Sequence, residues 1–329
     1  MRRREFITLL GGGPIAWPLM AHAQQPDRMR RIGVLMGFAE NDSQAQAHIA
    51  AFRDGLQKLG WTEGRNIRID TRWVAFDAEL RQRFARELVT LQPDLILSQG
   101  TPTTADLMLQ TRTIPIIFAT VTDPVGSGFV ASLAHPGGNV TGFTLSEPTM
   151  AGKWVELLKE IAPRVNRVAL LFNPVTAPYA DYFLKPFKAA GPSFAVEAIA
   201  APFRDTSELE SVAAQVREPN GGLIVMPDSF TEARRVEIIS LAARYHLPAV
   251  YAYRLFTKLG GLLSYGVDLT DNFRRAATYV DRVLKDEKPA DLPVQAPVKY
   301  ELTINLKTAK ALDLDVPLNL RLRADEVIE

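Results

Sequence analysis

From Arg31 onward, short apolar runs alternate with longer amphipathic ones, the pattern of a parallel sheet covered by helices on both faces. Residues 32–36, 67–70, 95–97 and 114–118 are short, rich in β-branched side chains and bounded by Gly, Pro or Asn, which predicts strands. Between them the spacing turns helical: Ile49, Phe52, Leu56 and Leu59 share one face of 45–59, as Phe84, Leu88 and Leu91 do within 80–91. A second unit of the same kind follows residues 141–144, with strands at 168–172, 194–199, 222–226 and 249–251 and helices at 152–161, 206–216 and 231–245. The two α/β units divide near residue 145. Beyond a strand at 262–266 come an amphipathic helix, 271–285, and an extended stretch carrying Pro289, Pro293 and Pro297. Each proline fixes φ and removes a backbone donor, which suits a segment crossing between lobes. A strand at 300–304 and a helix at 306–312 follow, and the pattern leaves open which lobe they join.

The amino end changes the picture. Arg2, Arg3 and Arg4 precede an apolar run over 6–20, and Ala21-His22-Ala23 supplies small residues for cleavage, so residues 1–23 are expected to be a signal peptide. Arg3-Arg4-Glu5-Phe6 also fits a twin-arginine signal, and both export routes stay open. No later apolar stretch approaches the ~20 residues needed to span a bilayer, which predicts a periplasmic protein with no membrane insertion after cleavage. The chain has no cysteine. A mature length of about 300 residues buries enough apolar surface without disulfides and suggests two lobes. The expected division is 30–144 plus about 270–289 for lobe 1, and 145–268 plus about 290–329 for lobe 2. Lysine and arginine number 38 against 37 acidic residues, and loss of the signal leaves 35 against 36, a balance that calls for neither nucleic acid nor an anionic membrane.

In an open parallel α/β sheet, ligands bind beyond the carboxyl ends of the strands. The segments there are rich in small polar groups: Glu40-Asn41-Asp42-Ser43, Ser98-Gln99-Gly100-Thr101-Pro102-Thr103-Thr104 and Thr120-Val121-Thr122-Asp123-Pro124. Gly100, Thr101 and Thr103 stand at the mouth of a helix predicted from Ala105, where backbone N–H groups and hydroxyls meet a carboxylate; a plain threonine cap reads equally from the same residues. The second unit offers Asn173 with Tyr179, then Asp228-Ser229-Phe230, then Tyr253. A cleft between the two sets suits an amino acid, with the carboxylate on the donors, the ammonium on Asp228 and a side chain on the rings. Asp228 is also a natural N-cap, and Tyr253 a natural core residue. The candidate ligand-binding set is Phe38, Asn41, Gly100, Thr101, Thr103, Thr122, Asp123, Asn173, Tyr179, Asp228, Ser229 and Tyr253.

Motifs for catalysis are missing. There is no Gly-x-Ser-x-Gly, no phosphate-binding Gly-x-x-x-x-Gly-Lys-Ser/Thr and no Gly-x-Gly-x-x-Gly between strand and helix, so neither catalytic residues nor a nucleotide cofactor is predicted. His48, His135 and His246 stand apart without carboxylates at zinc spacing, so no metal is predicted either. Two alternatives stay open: an exported α/β hydrolase, if Asp123, Asp228 and Asp268 cluster with raised pKa values, and the ligand-binding subunit of an extracytoplasmic sensor.

Several stretches carry a family likeness: Phe52-Arg53-Asp54-Gly55-Leu56 to Gly60-Trp61-Thr62-Glu63-Gly64, Thr122-Asp123-Pro124-Val125-Gly126, Ala151-Gly152-Lys153-Trp154-Val155-Glu156-Leu157-Leu158-Lys159-Glu160 and Leu322-Arg323-Ala324-Asp325-Glu326-Val327-Ile328. Together, in this order and over almost the whole mature chain, they resemble the ABC transporter substrate-binding family that includes the tryptophan-binding, TrpX-like proteins. The resemblance implies a type I periplasmic-binding-protein fold, two Rossmann-like lobes with parallel sheets joined by a multi-strand hinge, here at 142–146, 265–269 and 288–298. It also implies a small-molecule ligand and, as partner, the membrane permease of an ABC importer; a monomer is the expected state. Carried over to this chain, the ligand's carboxylate lies near Gly100, Thr101 and Thr103, and an aromatic side chain lies near Phe38, Tyr179 and Tyr253. With no lipobox cysteine, the family pattern points to a free periplasmic protein.

Overall fold

A computed structural model describes residues 29–217 and 220–329. The expected signal peptide lies outside these residues. No helix among those described is long and apolar enough to cross a membrane. The first unit comprises β1 (Arg30–Met36), α1 (Ser43–Lys58), β2 (Ile67–Trp73), α2 (Ala78–Thr90), β3 (Leu95–Ser98), α3 (Thr101–Gln110), β4 (Ile116–Val121) and β5 (Val140–Thr144). Its strands form one parallel sheet in the order β2-β1-β3-β4-β5. Strands β3, β4 and β5 are buried from end to end, which explains their unbroken apolar or small-residue runs.

The second unit follows with α4 (Met150–Ile161), β6 (Arg167–Phe172), α5 (Ala180–Ala190), β7 (Glu197–Pro202), α6 (Thr206–Val216), β8 (Gly221–Val225), α7 (Ser229–Ala233), α8 (Arg235–Arg244), β9 (Ala249–Tyr251), α9 (Arg254–Lys258) and β10 (Leu263–Val267). The order β7-β6-β8-β9-β10 repeats that of the first sheet strand for strand. After α10 (Leu269–Leu284), the chain adds β11 (Tyr300–Asn305), α11 (Leu306–Ala311), α12 (Leu318–Arg323) and β12 (Glu326–Ile328). Strand β11 joins the second sheet antiparallel to β10, so this sheet is mixed rather than wholly parallel. That resolves the placement the hydropathy pattern left open.

Helix α10 turns back to the first unit. Its Phe273, Ala276, Ala277 and Val280 share a core with Ile49, Phe52 and Leu56 of α1. The helices cross at Gly55, where a Cβ would stand 2.8 Å from the Cβ of Ala277 and 2.9 Å from the carbonyl oxygen of Arg274. Three chain segments thus connect the lobes: the link from β5 to α4, the link from β10 to α10, and the proline-bearing stretch before β11. They are fastened to one another. Gln295 donates its N–H to the Gly142 oxygen and accepts the Thr144 N–H, both at 2.9 Å, and the Asp268 N–H reaches the Lys299 oxygen at 3.1 Å. Trp154 Nε1 donates to the Tyr265 oxygen at 2.7 Å, and Asn272 Nδ2 bridges the oxygens of Ala119 and Thr144 at 3.1 and 3.0 Å.

Some element bounds differ from expectation for local reasons. Helix α3 begins at Thr101 rather than Ala105, because Gly100 takes φ +91° as its N-cap and Pro102 is preorganised for the first turn. The helix predicted over 231–245 is two helices meeting at Arg234, whose φ of −100° and ψ of 19° leave the helical region. The strand predicted over 194–199 begins at Glu197, since Gly191–Phe194 is a turn of 3₁₀ helix. Helices α5, α9 and α12 and strand β12 were not anticipated; α5 carries Pro186 in its interior.

One buried group sets an acid limit on the fold. His48 of α1 is 1% exposed, stacks on Phe273 at 4.9 Å and 10°, and has no hydrogen-bond partner on either ring nitrogen. Burial lowers its pKa to about 4, against the pull of Asp42 and Asp268. A depressed folded-state pKa gives stability that is present above the ordinary histidine value and is lost as pH falls through the folded one, a loss of roughly 3 kcal/mol in total. Urea denaturation at about pH 7 and about pH 4 should show the His48→Leu variant escaping that part of the acid loss, and equal losses in both proteins would remove His48 as the cause.

Candidate functional site

In each sheet the first and third strands of the unit lie side by side, β1 with β3 and β6 with β8, so the helices that follow leave in opposite directions. A crevice opens at each such switch point, beyond the carboxyl ends of the strands. Here the two crevices face each other across the hinge and line one cleft with a cavity of about 60 Å³, partly open to solvent.

The wall from the first lobe carries donors and positive charge. Gly100 starts α3, whose first N–H groups and dipole present a partial positive charge. Thr101 Oγ1 accepts the Thr122 N–H at 3.1 Å, which leaves its hydroxyl hydrogen to be donated. Thr103 differs: its hydroxyl faces the oxygens of Gln99 at 2.6 Å and Gly100 at 2.9 Å, so its hydrogen is committed to the backbone and it is not the donor expected from its place in the loop. Gln99 Oε1 accepts the Gly37 N–H at 2.7 Å and ties the loops after β1 and β3 together. Arg81 of α2 reaches the wall while paired with Asp106 at 2.5 Å. Phe76 supplies the ring. It and Ala75 hold φ of 61° and 48°, a strained backbone kept by N–H donation from Phe76 to the Gly37 oxygen at 2.7 Å and from Ala75 to the Phe38 oxygen at 3.0 Å.

The wall from the second lobe carries acceptors and rings. Asp228 is 1% exposed and caps α7 by accepting the Phe230 N–H on Oδ1 at 3.2 Å; its Oδ2 accepts the Asn173 N–H at 3.2 Å. Burial raises its pKa, with hydrogen bonds opposing. Asp228 is therefore both a cap and part of the cleft wall. Tyr179 donates its hydroxyl to the Pro227 oxygen at 3.0 Å, and burial followed by the Asp228 charge pushes its pKa upward. Tyr253 is buried on the same side beside Phe256, and burial raises its pKa too. Glu232, one turn beyond Asp228, is 4% exposed, and burial pushes its pKa up to about 8.

Of the candidate residues, Gly100, Thr101, Thr103, Thr122, Tyr179, Asp228, Ser229 and Tyr253 stand together in the wall. Four do not. Phe38 is fully buried in the first-lobe core, edge-on to Phe76 at 5.2 Å, so the neighbouring ring takes the cleft position. Asn41 is exposed in the turn before α1. Asp123 turns onto its own loop, where Oδ1 accepts the Gly126 N–H at 2.8 Å. Asn173 is occupied in shaping its loop: Oδ1 accepts from Val175 and Thr176 at 2.8 and 3.2 Å, and Nδ2 donates to the Phe203 oxygen at 3.0 Å. The wall adds Phe76, Arg81, Gln99, Thr120, Thr176 and Glu232, which sequence reasoning missed. Of these, Gln99 and Thr120 stand inside the loops already singled out, and Glu232 follows Asp228 at helical spacing. Phe76 and Arg81 carry no such signal.

The aspartate cluster that a hydrolase would need is not assembled around this cleft. Asp228 alone of Asp123, Asp228 and Asp268 lies in the wall. Asp268 caps α10, and although burial opposes its charge, the hydrogen bond from Lys299 at 2.7 Å and the Asp271 N–H hold its pKa below the ordinary value.

Known proteins resemble this chain in sequence and in fold. A tyrosine-binding protein of Clostridioides difficile (strain R20291) is 26% identical over 276 residues, 84% of this chain and 78% of the relative. The solved structure of an ABC domain in complex with L-Trp from Streptococcus pneumonia superposes with a TM-score of 0.84 at 26% identity, covering 91% of this chain and all of that one. The type I periplasmic-binding architecture extends to a periplasmic binding ribose operon repressor protein of Lactobacillus acidophilus, alike in fold at 13% identity and a TM-score of 0.56, over 83% of this chain and 96% of that one. Substrate-binding proteins of ABC transporters work outside the cytoplasm, holding a small molecule for a transporter permease. Residues 31–328 match the description ABC transporter substrate binding protein, and the chain belongs to that family.

Proposed function

We propose that this protein is the periplasmic, monomeric solute-binding component of an ABC importer and that its ligand is an aromatic amino acid. The observation that carries the reading is the opposed character of the two walls. One presents Arg81, the Thr101 hydroxyl and the α3 amino terminus; the other presents Asp228, Glu232 and the rings of Tyr179 and Tyr253. A zwitterion matches both at once, with its carboxylate on the first lobe and its ammonium on the second. Its aromatic side chain lies between Phe76 and the tyrosines. The ligands named for the two relatives, tyrosine and L-Trp, belong to this class. Export by the expected signal at 1–23 is part of the same reading.

The work done is capture by closure, with no bond made or broken. The ligand docks on the first lobe, comprising 30–144 and about 270–289, the second swings in about the three connecting segments, and the permease meets the closed form. An ion pair spans the lobes: Arg235 Nη2 to Asp42 Oδ2, 3.2 Å, the two side chains 23% and 10% exposed. Asp42 Oδ1 meanwhile caps α1 through the N–H groups of Gln44 and Ala45 at 2.9 and 3.0 Å.

Two measurements test the reading. In a thermal-shift screen against amino acids, aromatic acids, sugars and nucleosides, L-tyrosine or L-tryptophan at a hundred times its dissociation constant should stabilise the protein by about 2.7 kcal/mol, a shift of several degrees. Thr101→Ala should lose most of it. A response to sugars or nucleosides instead would withdraw the amino-acid assignment. In the second, Arg235→Gln should weaken binding by roughly 1 kcal/mol, about fivefold, chiefly through faster release, and added Asp42→Asn, which keeps the cap, should cause little further loss. Additive losses in the double variant would show that the pair does not act across the cleft.

A further inference from the structure

Two carboxyl groups line the second-lobe wall, and they are not equivalent. Asp228 has both oxygens engaged, Oδ1 by the Phe230 N–H and Oδ2 by the Asn173 N–H, each at 3.2 Å. Glu232 is 4% exposed, belongs to the same wall, and its Oε1 is sealed from solvent with no hydrogen-bond partner at all. Buried polar atoms are almost always paired, so an acceptor left vacant in a ligand cleft marks a place kept for a donor that arrives with the ligand. A primary ammonium carries three N–H donors in a tetrahedral spread, as lysine does, and a single carboxylate whose oxygens already accept backbone N–H groups does not match them. We propose that Glu232 is the specificity-determining residue of the cleft, taking the ligand's α-ammonium jointly with Asp228, so that the site selects aromatic amino acids over the same molecules lacking the amino group. This rests on the amino-acid reading above.

The surroundings of Glu232 add a consequence. Asp42 on the amino end of α1 and Asp228 at the cap of α7 disfavour its charge, Arg235 on α8 favours it, and the hydroxyls of Tyr179 and Tyr253 stand nearby. With its pKa up to about 8, the empty site holds Glu232 protonated at neutral pH. When the ammonium enters, the carboxylate becomes the better partner and the carboxylic proton passes to the buffer. Binding of an ammonium ligand thus releases up to one proton below about pH 8, and its affinity rises with pH toward that value, by at most about tenfold per unit. Ligands without the amino group release none.

Calorimetric titration of the protein and its Glu232→Gln variant with L-tyrosine, L-tryptophan, 3-(4-hydroxyphenyl)propionate and indole-3-propionate, in phosphate and in Tris near pH 7, tests this. The wild type should prefer the amino acids by tenfold or more and show a buffer-dependent heat for them alone; Glu232→Gln should lose that heat and most of the preference while keeping its affinity for the propionates. Glu232→Asp, which restores a carboxyl, should recover part of both. Retention of preference and proton release in Glu232→Gln overturns the proposal and leaves Glu232 a structural residue. Should that variant not fold, the wild type decides by itself: amino-acid binding without proton release overturns the role of Glu232. If the wild type takes the propionates as well as the amino acids, or takes neither, the amino-acid reading fails and the role of Glu232 fails with it, a result visible before any variant is made.

Discussion

The constraint on which the rest depends is the way three chain crossings are hydrogen-bonded to one another. Gln295 holds Gly142 and Thr144, Asp268 holds Lys299, and Trp154 and Asn272 pin neighbouring backbone oxygens. Because each unit is an α/β sheet with its switch point at the carboxyl ends of the strands, these crossings fix which ends face each other. The loops after β1 and β3 meet the loops after β6 and β8. Each set brings polar groups of its own kind, helix amino ends and hydroxyls on one side and buried carboxyls and tyrosines on the other. The chemistry of the cleft follows from topology before any single side chain is chosen.

This explains why so much of the fold was legible and the site only in part. Strands buried on both faces are written as short apolar runs, and the helices between them as amphipathic stripes, so both units stood out along the chain. Boundaries failed where one residue overrides periodicity: Gly100 with Pro102 moved the start of α3, and Arg234 broke a long stripe in two. In the site, the loops were legible because they are rich in Gly, Thr, Asn and Asp at strand ends. The orientation of a ring was not. Phe38 and Phe76 touch edge to edge, and the left-handed turn at Ala75 and Phe76 decides which of them lines the cleft. Arg81 comes from a helix whose spacing marks the apolar stripe of Phe84, Leu88 and Leu91 and says nothing of Arg81, and Phe76 carries no local signal either. Thr103 shows the converse, a residue in the right place whose hydrogen bonds give it a different part.

The magnitudes also bear on how such a protein stays responsive. The Arg235–Asp42 pair is partly buried and contributes on the order of 1 kcal/mol, less than the several kcal/mol that would be needed to hold an empty cleft almost wholly closed. In the proposed mechanism closure therefore draws most of its driving force from contacts that exist only with ligand present. On that reading those contacts are made at the Thr101 hydroxyl, the α3 amino end and Glu232 Oε1. A ligand that fills both walls shifts the equilibrium by its differential affinity for the closed form, and one that fills a single wall gains no reason to bring the other across. Selection and closure are on this account the same event, since the groups that recognise the two ends of the molecule belong to different lobes.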